Sequence, residues 1–120
     1  VTPLLALAVV LTGAAAAVVR YLVSLAFAGR RLPWAVFTVN VVGSLIGGAV
    51  LGLSERAAVS DDLRLVLLTG LCGGLTTFST FSVETVELVQ AGRTRVAALS
   101  VAANVVCGIG VATLAYLVAR

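Results

Sequence analysis

The chain has 120 residues, 61% of them hydrophobic, with eight arginines and no lysine, no histidine, five acidic residues and a formal net charge of +3. Its mean hydropathy of +1.18 lies far beyond that of a soluble domain, whose apolar share is roughly one half. The composition excludes His-based acid–base, nucleophilic and zinc chemistry, and no Ser/His/Asp set, phosphate loop or clustered metal-ligand motif appears, so an enzyme is not expected.

Four charge-free windows, Val1–Val19, Leu32–Ser54, Leu65–Val83 and Val96–Ala119, are each about long enough to cross a hydrocarbon core as a helix. The expected architecture is an all-α membrane protein, a single four-helix domain over residues 1–120. The first helix is predicted over about 3–28, opened by Pro3, whose missing N–H costs nothing in a first turn. It carries one cation, Arg20. Its N-terminal part has no cationic region and no clear cleavage pattern, so a removed signal peptide is not expected. Gly29–Pro33 forms the first connection, and Trp34 suits the membrane interface. The second helix is predicted over about 33–53. It contains Asn40 in the otherwise apolar run Phe37-Thr-Val-Asn-Val-Val-Gly-Ser44. The amide suits either an interhelical hydrogen bond or a donor facing an anion.

The third helix is predicted over about 63–90, with Ser60, Asp61 and Asp62 supplying a cap and first turn. Its most informative stretch is Gly70-Leu-Cys-Gly-Gly-Leu-Thr-Thr-Phe-Ser-Thr-Phe-Ser82. Thr76 to Ser82 hold five hydroxyls and two phenyl rings within a window that lacks fixed charge. Polar groups at membrane depth are costly and usually functional. The Gly73–Gly74 pair just upstream predicts a helix broken near residues 73–77, tolerated only where protein or a water-filled cavity covers the freed backbone. The hydroxyls of Thr76, Thr77, Ser79, Thr80 and Ser82 can donate to an anion or back-bond to their own helix. Phe78 and Phe81, three apart, share a helix face. Edges of their rings are positive and could attract a small anion. Glu84 is expected just inside the boundary, within reach of an arginine, and Glu87 in solvent. The fourth helix is predicted over about 96–118. Cys72 and Cys107 fall inside spans and read as small packing residues rather than a disulfide or a metal pair.

Three glycine pairs, Gly43/Gly47, Gly48/Gly52 and Gly70/Gly74, have the small-xxx-small spacing that lets helix backbones approach closely in lipid. Four spans put both termini on one side, with Arg56, Arg64 and Arg120. The other side holds Arg30, Arg31, Arg93 and Arg95, joined by Arg20 if it snorkels that way. The arginines thus read as interface anchors, which removes nucleic acid as the partner of a basic chain. So even a split barely specifies orientation, and dual topology is expected.

These features resemble the Fluc/CrcB family of fluoride channels along nearly the whole chain. The resemblance rests on Arg20-Tyr21, on Val39-Asn40-Val-Val-Gly43-Ser44, and above all on Gly73-Gly-Leu-Thr-Thr-Phe-Ser-Thr-Phe-Ser82 with Glu84. It implies an antiparallel dual-topology homodimer with two pores in the cell membrane of a bacterium. It implies that Phe78 and Phe81 touch fluoride and that Asn40 is a polar partner along the pore. It implies that backbone carbonyls of Gly73 and Thr76, from both subunits, hold a central structural sodium ion. Thr77, Ser79 and Thr80 stand in the family's hydroxyl-bearing positions, and Arg20 resembles its basic residue near a pore mouth. Two departures stand out: Ala16 where the family usually has glycine, and Ser100 and Asn104 where its fourth helix commonly has tyrosine and serine. Some members pair unlike subunits, so a heterodimer with a paralogous chain is an alternative. Rival readings are a small multidrug transporter, which should carry a carboxylate in its first helix, and a non-transporting assembly subunit, which leaves the hydroxyl–phenyl cluster unexplained.

Overall fold

A computed structural model describes all 120 residues as five helices and short turns. Helix α1 spans Pro3–Ala26. Thr2 caps it, its hydroxyl accepting the Leu5 N–H at 3.1 Å, and Pro3 occupies the first turn. It ends two residues before the expected 28, because the chain turns at Gly29, whose φ of 81° suits only glycine well. Helix α2, Trp34–Glu55, runs two residues beyond the expected 53. Ser54 does not stop it, since its hydroxyl donates back to the Val50 carbonyl at 2.7 Å.

The third span is composite. Helix α3 covers residues 61–75, capped by Ser60, whose hydroxyl accepts the Leu63 N–H at 3.2 Å. Asp61 and Asp62 in its first turn face the positive end of the helix dipole. Val66–Cys72 within it are wound as a π-helix, a wide form with no propensity signature that concentrates at functional sites. Thr76 and Thr77 are then extended, at φ −84°, ψ 159° and φ −150°, ψ 119°. Helix α4, Phe78–Gln90, completes the span. Helix α5 is Thr94–Ala119, entered through a turn at Gly92 with φ 78°. All four spans are long and apolar enough to cross a membrane.

Glycines set the packing. A Cβ at Gly48 would overlap the Ala112 carbonyl, and one at Gly52 would overlap the Tyr116 carbonyl, so α2 and α5 touch backbone to backbone. Gly74 meets the Gly13 backbone in the same way, drawing α3 onto α1. Gly43 receives the Thr76 methyl, seating the break of the third span against α2. At the centre Ala16, Val39 and Leu75 form a small buried cluster. Ala16 is only 3% exposed. Its single methyl is therefore a packing atom, which accounts for the position tolerating alanine in place of glycine. Only 12 of the 120 residues are buried. One chain therefore encloses almost no interior, and most of its apolar surface faces lipid or another subunit.

Candidate functional site

The break of the third span is held by Asn40 of α2. Its Oδ1 accepts the Thr77 N–H at 2.9 Å, and its Nδ2 donates to the Thr77 carbonyl at 3.2 Å. The interhelical alternative foreseen for this amide is thus realised, with one Nδ2 hydrogen left over. Thr77 in turn caps α4. Its Oγ1 accepts the Thr80 N–H at 3.1 Å, donates to the Thr80 hydroxyl at 3.0 Å and lies 3.2 Å from the Ser79 hydroxyl. The five hydroxyls therefore divide. Thr76 back-bonds to the Cys72 carbonyl at 2.8 Å and Ser82 to the Phe78 carbonyl at 2.8 Å. Thr77, Ser79 and Thr80 are linked side chain to side chain.

Two cavities meet at Thr77, which lines both. One, of about 260 Å³, is bounded by Arg20, Ser24, Val39, Thr80 and Glu84. In it Arg20 Nε and Glu84 Oε2 are buried without a protein hydrogen-bond partner. The other, of about 350 Å³, is lined by Asn40, Ser44, Phe78, Phe81 and Asn104, with Thr76 and Val105. It holds no ionisable side chain. The two rings stand 6.1 Å apart, tilted by 43°. Phe78 is 80% exposed, so this cavity opens on the flank of the protomer. Asn104 gives its amide hydrogen to the Ser100 carbonyl at 2.8 Å, and its Oδ1 is buried and unpartnered. Ser100 lies one turn away, sharing an apolar groove with Trp34, Phe37 and Asn104.

The structure therefore gathers Asn40, Phe78, Phe81 and Asn104 around one cavity. It puts Arg20 and Thr80, with Glu84, around another, and leaves Ser79, the exposed member of the hydroxyl cluster, lining neither. Two residues were not foreseen at the site, Ser44 and Ser24. Each lies four positions after a foreseen residue on the same helix, Asn40 and Arg20, and that i,i+4 spacing is the signal that would have found them. Both cysteines are free, as expected.

An all-helical chain with four spans, the third interrupted, and with uncharged donors and phenyl rings gathered at the interruption, is a small polytopic membrane protein built to accommodate a polar species within the bilayer. Residues 7–116 match the model of the CrcB-like protein, Camphor Resistance (CrcB), family, and the chain belongs to that family. Among its relatives is the fluoride-specific ion channel FluC of Geobacter metallireducens, 40% identical over 117 residues, 94% of either chain. FluC 1 of Yersinia pseudotuberculosis is 42% identical over 114 residues, 92% of this chain and 90% of that one. FluC of Novosphingobium aromaticivorans is 49% identical over 77 residues, 64% of this chain and 61% of that one.

Proposed function

We propose that the chain is the subunit of a fluoride-selective channel that lets fluoride leave the cytoplasm passively and so confers fluoride resistance. The observation that carries this reading is the cavity at the break of the third span, with two phenyl rings and two amides and no charged side chain. A small anion is drawn by ring edges and N–H donors, while the absence of a charged side chain beside the rings keeps binding weak enough for release, as conduction requires. Family membership and relatives that carry the name fluoride-specific ion channel support the same conclusion. Hydrogen fluoride enters a cell as a neutral weak acid and dissociates in the less acidic cytoplasm. The inside-negative potential then expels the anion with about 2.3 kcal/mol per charge at about 100 mV. The protein resides in the plasma membrane of a bacterium, as a multi-pass protein with bacterial relatives.

The working unit is an antiparallel homodimer. The sideways opening of the phenyl cavity and the sparse interior of one chain both call for a second copy. The nearly even split of arginines favours its opposite insertion. A paralogous chain in place of the second copy is the alternative assembly. At the dimer axis a sodium ion is held by the Gly73 and Thr76 carbonyls of both subunits. The ion would supply fixed positive charge that no side chain of the break provides, and extended backbone at Thr76 and Thr77 fits it by turning carbonyls out of the helix. The small multidrug reading loses support because α1 carries no carboxylate. Liposomes loaded with fluoride and containing only this chain should release it when potassium efflux through valinomycin carries the counter-charge. Retention of fluoride by liposomes with recovered dimer would refute the homodimeric channel, and release only after addition of a paralogous chain would establish the heterodimer.

A further inference from the structure

In an unbroken α-helix the Thr77 N–H would bond to the carbonyl of Gly73, four residues earlier. Here that N–H goes to Asn40 Oδ1 instead. The Gly73 carbonyl thereby loses its helical donor. A second consequence follows from the planarity of the peptide. The Thr77 N–H and the Thr76 carbonyl belong to one trans peptide unit and point in opposite directions. By holding the N–H, Asn40 aims the Thr76 carbonyl away from itself. The other side of the amide then holds the next peptide through the Thr77 carbonyl. That carbonyl takes no close backbone N–H, whereas the corresponding cap carbonyls of Thr2, Pro33, Ser60 and Arg93 each do.

We infer that Asn40 is a positioning residue that creates the cation site, by withdrawing the Thr77 N–H from the Gly73 carbonyl and orienting the Thr76 carbonyl. The inference rests on the sodium reading proposed above and adds to it a cause. A side chain of α2 opens the two carbonyls, and the same side chain lines the phenyl cavity. Asn40 thus couples the cation site to the anion path. Without it, the Thr77 N–H is free to return to Gly73, the third span closes toward a continuous helix and both carbonyls are withdrawn.

The test measures thermal unfolding of the purified dimer against sodium, with N-methylglucamine keeping ionic strength constant. Asn40→Ala should raise the sodium concentration for half-maximal stabilisation by about tenfold or more, a typical coupling between linked sites. Asn40→Asp retains an oxygen to accept the Thr77 N–H and should stay within about threefold of wild type. A residue that served only as an anion donor would leave the sodium response of Asn40→Ala unchanged, and that result would overturn the inference. If Asn40→Ala yields no dimer, Asn40→Ser, too short to span the gap, takes its place. If the wild type itself shows no sodium response, the sodium reading fails. The positioning role is then decided by a high-resolution structure of the alanine or serine variant. A Thr77 N–H bonded to Gly73 supports it, and an unchanged break with a free N–H refutes it.

Discussion

The backbone of Gly48 in α2 lies against the Ala112 carbonyl of α5, so closely that a β-carbon at Gly48 would occupy the same space. The contact belongs to the most extensive helix–helix interface in the fold, and Gly52 against Tyr116 repeats it one turn later. At the end of the pair the Tyr116 hydroxyl donates to Glu55, and Arg120 stacks on the Tyr116 ring with its guanidinium carbon 5.8 Å from the centroid.

Gly48→Val should therefore destabilise the protein, by about 1–3 kcal/mol if the helices can part slightly and by more if they cannot. Gly110 on α5 has open space where its Cβ would stand, so Gly110→Ala is the matched control and should be neutral or mildly stabilising. Thermal unfolding in detergent and recovery of a monodisperse peak compare the two. Equal stability of both variants would show that the α2–α5 approach is looser than described.

Phe78→Ile and Phe81→Ile should each lower fluoride flux while leaving the protein folded. Isoleucine keeps much of the apolar bulk and removes the positive ring edge. Phe78 is mostly exposed within one chain, so its replacement removes few contacts inside the protomer. Fluoride efflux from liposomes, normalised to recovered dimer, reads the effect. Normal flux from both variants would mean that the rings do not meet the ion.

Thr77 carries more local structure than any other hydroxyl at the break. Thr77→Val should cost about 0.5–2 kcal/mol through loss of the α4 cap. It should also release the hydroxyls of Ser79 and Thr80 and reduce flux. Thr77→Ser retains the oxygen and should restore most of both properties. A valine variant as stable and as active as wild type would remove the hydroxyl cluster from the mechanism.

Opposite insertion of two copies predicts that one engineered cysteine is labelled from both faces of the membrane. Arg95→Cys sits in the first turn of α5, next to the connection from α4; Cys72→Ala and Cys107→Ala remove background reaction. Replacing one arginine of a nearly even set also shifts the orientation bias, so Ala91→Cys in the turn between α4 and α5, which leaves the charges intact, should give the same two-sided result. Labelling of every molecule from a single face in both variants would rule out dual topology.

Much of this fold is written plainly in the sequence. Charge-free windows mark the spans, and Gly73–Gly74 ahead of Thr76 marks the interruption. The ends differ by one or two residues, because caps and turns decide them: Ser60 starts α3 two residues early, and Gly29 stops α1 two residues short. The π-wound stretch Val66–Cys72, which packs on α1, was illegible, since nothing in Val-Leu-Leu-Thr-Gly-Leu-Cys distinguishes π from α winding. The partition of the hydroxyls was also hidden. Composition shows five donors, but whether each turns to its own helix or to a neighbour depends on the extended backbone at Thr76 and Thr77. Asn40 is the sharpest case. Its residue type offered an interhelical hydrogen bond or a donor to an anion without choosing between them, and its partner lies 37 positions away and is a backbone group, which carries no signature in sequence.

The cavity of Phe78, Phe81 and Asn104 opens sideways, on the flank of a single chain. If the proposed dimer is the conducting unit, a lone protomer in the bilayer would present a half-built gutter to lipid, with no sealed passage through which ions could flow. Toxicity control is then inherent in the geometry. A cell could then hold single chains without leaking ions, and conductance would rise with the square of chain density while unpaired copies predominate. Small changes in expression would then translate into steep changes in fluoride tolerance.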